Sequence, residues 1–165
     1  MRFDLEWLLS HLEGAPGLDT LADRLTACGF LVEVRDIEDG GEVWDVEVTT
    51  NRPDAMNHRG LAREAAVATE AKLRPLAFQL EEDAEGAHDL ASVEIADPEL
   101  CSRYVARVIR GVRLTESPRW LKERLERAGI RSINAVVDAT NYVLLDLGQP
   151  LQAFDLHRLE GRKII

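Results

Sequence analysis

Val43-Trp44-Asp45-Val46-Glu47-Val48-Thr49 reads as a strand, because apolar and polar side chains alternate from Trp44 onward. Asn51-Arg52-Pro53-Asp54 follows it closely. Pro53 fixes its own φ and pushes Arg52 out of the helical region, so the chain turns there. Beyond the turn, His58 to Ala71 is rich in alanine and reads as a helix whose small residues allow close packing against another helix. A strand that passes through a turn into a helix predicts an α+β fold.

Working outward, Asp39-Gly40-Gly41 is a hairpin turn, and Phe30 to Ile37 is the strand that enters it. Asp4 is placed to cap a first helix with an apolar stripe of Leu5, Leu8, Leu9 and Leu12. Gly14-Ala15-Pro16-Gly17 breaks that helix. Asp19 is expected to cap a second helix that buries Leu21, Leu25 and Cys28, with Gly29 just past its end. Residues 1–76 therefore read as three helices with a two-stranded ribbon.

Residues 77–90 contain Glu81, Glu82, Asp83, Glu85 and Asp89 without apolar periodicity, which predicts a solvated linker. The charge balance changes across it. Residues 1–90 hold 20 acids against 8 Lys and Arg, and residues 91–165 hold 10 against 12. That contrast argues for a second unit over 91–165. There, Val93–Ala96 and Tyr104–Val112 read as strands. Ser117 is expected to cap a helix with Trp120, Leu121, Leu125 and Ala128 as its buried stripe, closed by Gly129. A further helix runs from about Asn134 to Leu147 and stops at Gly148. Gly161 to Ile165 reads as a strand with no partner after it, the pattern of a piece of a longer protein.

The overall net charge is −10, which argues against a general nucleic-acid binder. Arg103, Arg107, Arg110, Arg113, Arg119, Lys122, Arg124, Arg127 and Arg131 could meet phosphates, or could form a solvated face balanced by Glu116, Glu123 and Glu126. Only Tyr104 and Trp120 lie among them for base stacking. Cys28 and Cys101 lack metal-ligand spacing and read as reduced thiols of a cytoplasmic protein. His11, His58, His88 and His157 are scattered and read as surface residues. No run of about 18 apolar residues exists to cross a membrane, and the N-terminus does not have the pattern of a signal peptide.

Two stretches carry polar residues that helix and strand patterns do not require. They are Arg131-Ser132-Ile133-Asn134-Ala135-Val136-Val137-Asp138-Ala139-Thr140-Asn141-Tyr142 and Gly148-Gln149-Pro150-Leu151-Gln152-Ala153-Phe154-Asp155. Asn134 can cap the helix and Asp138 can assist its first turn, whereas Asn141 and Arg131 have no such role. In the turn, φ restriction and capping account for Pro53 and Asp54, but not for Arg52.

Together these segments resemble the β subunit of bacterial phenylalanyl-tRNA synthetase. The likeness rests on Asp45 to Asp54, on Arg59-Gly60-Leu61-Ala62-Arg63-Glu64, on Pro98 to Tyr104 and on Arg131 to Asp155. It implies a B1-like scaffold over 1–76 and an incomplete α/β unit, the start of a B3/B4 editing domain, over 91–165. The family's OB-fold tRNA-binding insert is absent, since only residues 34–44 lie between the segments matching Glu33 and Asp45. The resemblance also implies a parent enzyme that joins phenylalanine to tRNA(Phe) with ATP and Mg²⁺. Its partners are an α subunit, in an α₂β₂ assembly, and tRNA(Phe). It implies no catalytic residue and no bound cofactor or metal in this chain. Family editing of Tyr-tRNA(Phe) answers the difficulty of telling Phe from Tyr by a single hydroxyl. It places Arg131 and Gln152 at the editing pocket, with Gln152 where the family carries a histidine. An amide hydrogen-bonds a hydroxyl but is not an imidazole base. A freestanding Tyr-tRNA deacylase and a non-catalytic interaction module are the alternatives.

Overall fold

Asp4 ends one element and begins the next. Its extended backbone closes β1 (Arg2–Asp4), and its carboxylate accepts the Trp7 N–H at 2.8 Å to cap α1 (Leu5–Ser10). The computed structural model describes residues 1–38 and 40–165. After α1 come β2 (Leu12–Glu13), α2 (Leu18–Ala27), β3 (Val32–Glu38), β4 (Gly41–Val46), α3 (His58–Thr69) and β5 (Lys72–Leu73). Then follow α4 (Ala87–Leu90), β6 (Ser92–Val93), α5 (Arg119–Arg127), α6 (Ala135–Leu147) and β7 (Lys163–Ile164). The chain is α+β.

Contacts gather the described residues into two compact units. The first joins Met1–Leu76 to Leu114–Leu151, and the second joins Ala77–Arg113 to Gln152–Ile165. Compactness thus divides the chain differently from sequence order.

In the first unit the expected ribbon is a three-stranded antiparallel sheet of order β1-β4-β3. Phe3 lies opposite Trp44 and Arg35 opposite Trp44 on the other side. The extra strand, β1, is too short to display a period. Gly40 takes φ +77° at the turn between β3 and β4, and Asp39 lies outside the described residues. Phe3, Leu8, Leu21, Leu25, Trp44, Val46 and Leu61 are fully buried and form the core, mostly aliphatic as the composition requires. α3 approaches the 3-10 turn Pro53–Ala55 so closely that a Cβ on Gly60 would overlap the Asp54 carbonyl oxygen. Asn57 caps α3, its Oδ1 accepting the Gly60 N–H at 2.7 Å.

Several expectations are corrected. The N-cap of α2 is Gly17, not Asp19; Asp19 reaches across to Arg35 at 2.6 Å. Cys28 is exposed. Pro118 occupies the N-cap of α5 without a side-chain cap, because the Ser117 hydroxyl donates to Asp138 instead. Trp120 is 52% exposed rather than part of the α5 stripe, and Leu121 and Leu125 alone make that stripe's buried core.

In the second unit, Tyr104–Val112 forms no strand, and of the expected Val93–Ala96 strand only Val93 pairs, together with Ser92 before it. Val105 and Ile109 are each 72% exposed. A strand is stable only against a partner, and among the described residues this run has none. β7 does find one. It pairs in parallel with the upstream β6, with Val93 opposite Ile164.

Candidate functional site

A cluster of buried polar and aromatic groups lies where α1, α3, α5 and α6 meet in the first unit. Trp7, fully buried on α1, is its centre. The His58 ring stacks on one face at 3.8 Å and 15°, and the Tyr142 ring stacks on the other at 4.5 Å and 6°. Few aromatics exist in this chain, and their concentration here gives α1, α3 and α6 a shared packing surface.

Most polar groups in the cluster have a specific partner; the buried Arg127 Nε has none among the described residues. Asp146 of α6 accepts from the Trp7 indole N–H at 2.6 Å and from His11 Nε2 at 2.6 Å. Burial opposes the charge on Asp146, but the His11 and Trp7 donors outweigh it and lower its pKa. The buried Arg127 guanidinium of α5 meets Asp4 Oδ2 at 2.7 Å, while Asp4 Oδ1 remains on the α1 cap. Arg127 also packs over Gly41, where any Cβ would collide with the guanidinium. Burial pushes the Tyr142 hydroxyl upward, against the opposing charge and hydrogen bond of Arg124, whose Nη1 donates to it at 3.1 Å.

His58 is the most constrained member. The Asp4 backbone N–H donates to its Nε2 at 3.1 Å, so Nε2 carries no proton. Its Nδ1 lies 2.9 Å from the Leu145 carbonyl and must carry the proton. The ring is therefore neutral, and burial lowers its pKa from 6.5 to about 4, against the Leu145 carbonyl and the Asp4 and Asp146 carboxylates. The expectation of surface histidines is thus corrected for His58 and His11, which are buried; His88 and His157 are exposed. Their local sequence gave little warning. Asp146 was the legible clue, as a lone acid inside Val143-Leu144-Leu145-Asp146-Leu147.

A second buried node surrounds Asp138 on α6. Its Oδ2 accepts from the Ser117 and Ser132 hydroxyls and its Oδ1 from the Ile133 N–H at 2.9 Å. Burial works against the charge, but these three donors prevail and lower its pKa. Asn134 caps α6, accepting the Val136 and Val137 N–H groups at 3.1 Å each.

Arg52 has a role that the turn alone did not reveal. It makes a bidentate pair with Asp54, at 3.0 Å for both contacts, reaches Glu64 at 2.9 Å and lies 5.0 Å above the Phe30 ring. Arg63 also reaches Asp54 at 2.9 Å. Arg52 above all, with Arg63, holds the Asp54 carboxyl at about 2. Asn51 is exposed beside this network.

Compared with known proteins, residues 100–165 match the family described as the B3/4 domain. The chain is 43% identical over 160 residues to the phenylalanine–tRNA ligase β subunit of Rhodopirellula baltica, covering 97% of this chain and 24% of that protein. It is 51% identical over 133 residues to the β subunit of Anaeromyxobacter dehalogenans, covering 81% of this chain and 16% of that protein. The β subunit of Thermotoga maritima is 42% identical over 168 residues, covering 97% of this chain and 21% of that protein.

Over most of its length this chain matches a piece of phenylalanine–tRNA ligase β subunits.

It spans between 16% and 24% of the length of these three β subunits. Of the two residues the β-subunit resemblance assigns to editing, Arg131 is exposed in the loop before α6, in the first unit. Gln152 is exposed in the second. Asn141 is half-buried on α6. The basic cluster is largely engaged. Arg107 pairs with Glu82 at 2.9 Å, Arg110 with Asp83 and Glu85, and Arg119 with Glu123 at 2.6 Å.

Proposed function

We propose that this chain acts as a non-catalytic scaffold within the β subunit of a phenylalanine–tRNA ligase. The observation that carries this reading is the use made of the buried polar groups. Asp4, His11, His58, Arg127, Asp138 and Asp146 each bind another segment of the same unit, and none is left to face a substrate. Catalytic groups must reach reacting atoms, whereas these are consumed in holding helices together.

The parent enzyme joins phenylalanine to tRNA(Phe) with ATP and Mg²⁺, in the cytoplasm, as an α₂β₂ assembly. In that assembly residues 1–76 form a B1-like scaffold, 77–90 an acidic linker and 91–165 part of a B3/B4-like editing domain. Among the described residues no three His, Cys, Asp or Glu side chains gather to hold a metal. In this reading ATP and Mg²⁺ act in the parent enzyme. No helix among the described residues is long and apolar enough to cross a membrane.

The test is formation of Phe-tRNA(Phe) from phenylalanine, ATP and tRNA by the purified chain. The scaffold reading expects the no-enzyme background, and synthesis above it would reject the reading. The B3/4 match favours a second reading, in which Arg131 and Gln152 contribute to hydrolysis of Tyr-tRNA(Phe). Deacylation that disappears in Arg131→Ala would support it.

A further inference from the structure

We propose that His58 is an acid-released latch holding the α5–α6 hairpin onto the Met1–Leu76 half of the first unit. The inference starts from connectivity. Residues 114–151 return to pack on 1–76 only after the intervening 77–113, so side-chain joints must secure the return. His58 makes such a joint with both ring nitrogens, to the Asp4 N–H on one side and the Leu145 carbonyl of α6 on the other.

This joint works in one protonation state only. A second proton on the ring would set an Nε2–H against the Asp4 N–H, donor facing donor, and would lodge a cation in a buried site. The charged and titratable groups around the ring do not remove that conflict. Asp4 is already committed to Arg127 of α5 and to the α1 cap. Asp146 of α6 is committed to Trp7 and His11. Tyr142 and Arg124 lie beyond the Trp7 ring, and Glu6 sits at 4.0 Å from Arg127 and is exposed. On α3 itself Arg59 reaches the Arg74 carbonyl, and Arg63 and Glu64 serve the Arg52–Asp54 network. Protonation therefore breaks the His58–Asp4 contact and weakens the seat of α6.

The sign follows from linkage. A histidine whose folded pKa lies below its unfolded value favours the closed state above about pH 6.5, and that advantage is lost as pH falls toward about 4. Asp146 and Asp138 titrate below that window, so pH 7.5 against pH 4.5 isolates the histidine from both carboxylates.

Amide hydrogen exchange of the whole chain at those two pH values, corrected for intrinsic rates, tests the latch. Protection in 119–147 should fall by about 30- to 100-fold, while α2 changes by less than about threefold. In His58→Gln the differential loss should shrink to less than about threefold. Equal protection at both pH values in the wild-type chain overturns the proposal, as does full pH dependence retained in His58→Gln. If that variant does not fold, ring NMR of His58 in the wild-type chain replaces it. A His58 titration that tracks the loss of α6 protection supports the latch, and loss of protection without titration of that ring overturns it.

Discussion

Asp4 and Arg127 lie 123 positions apart in sequence and meet at 2.7 Å as a buried ion pair. One partner caps the first helix of the chain and the other belongs to α5, so the pair fastens the late helices to the earliest element. Removing Arg127 leaves Asp4 buried without its counterion, the expensive way to break such a pair. Arg127→Ala should cost about 3–5 kcal/mol, read as a lower urea midpoint. Arg119→Ala breaks an exposed pair with Glu123 and should leave the midpoint nearly unchanged. Equal losses in the two variants would contradict the assigned burial.

Gly60 is required by space rather than by backbone conformation. A methyl group there meets the backbone oxygen of Asp54, which cannot rotate away as a side chain would. Gly60→Ala should cost about 1–3 kcal/mol despite the better helix propensity of alanine. Thermal unfolding should show a Tm lower by about 2–4 °C for each kcal/mol lost. An unchanged or raised Tm would mean that α3 stands farther from the Pro53–Ala55 turn.

Asp138 ties the segment before α5 and the loop before α6 to α6 itself. Asp138→Asn should cost about 1–3 kcal/mol near neutral pH, because an amide nitrogen replaces one acceptor. The acid dependence carries the sign. The folded carboxyl titrates below its ordinary 3.8, so its stabilisation is full above that value and is lost as pH falls through the folded pKa. Urea midpoints at pH 5 and pH 3 should therefore fall more steeply in the wild-type chain than in Asp138→Asn. Parallel slopes would assign the acid sensitivity to other carboxylates.

The parts of the fold with local physical causes were legible in the sequence. Asp4 at α1, Asn134 at α6 and Gly148 beyond α6 each satisfy or end a helix within a few residues. Asp19 and Ser117 are also capping residue types, but a more distant partner took each side chain: Arg35 in one case and Asp138 in the other. Arg52 could not be explained until Glu64 and Phe30 were brought beside it. The burial of His58 and Arg127 depends on partners more than 50 positions away, and no periodicity encodes that. The run Tyr104–Val112 has the apolar content of a strand but lacks a neighbour, and strand formation depends on the neighbour.

The polar groups of this chain either build a scaffold or perform chemistry. The decisive measurement is hydrolysis of Tyr-tRNA(Phe) by the purified, folded chain, run beside Arg131→Ala and a no-enzyme control. The scaffold account predicts that all three rates coincide. Hydrolysis by the wild-type chain that returns to background in Arg131→Ala would contradict it and make the exposed loop before α6 part of a working editing site.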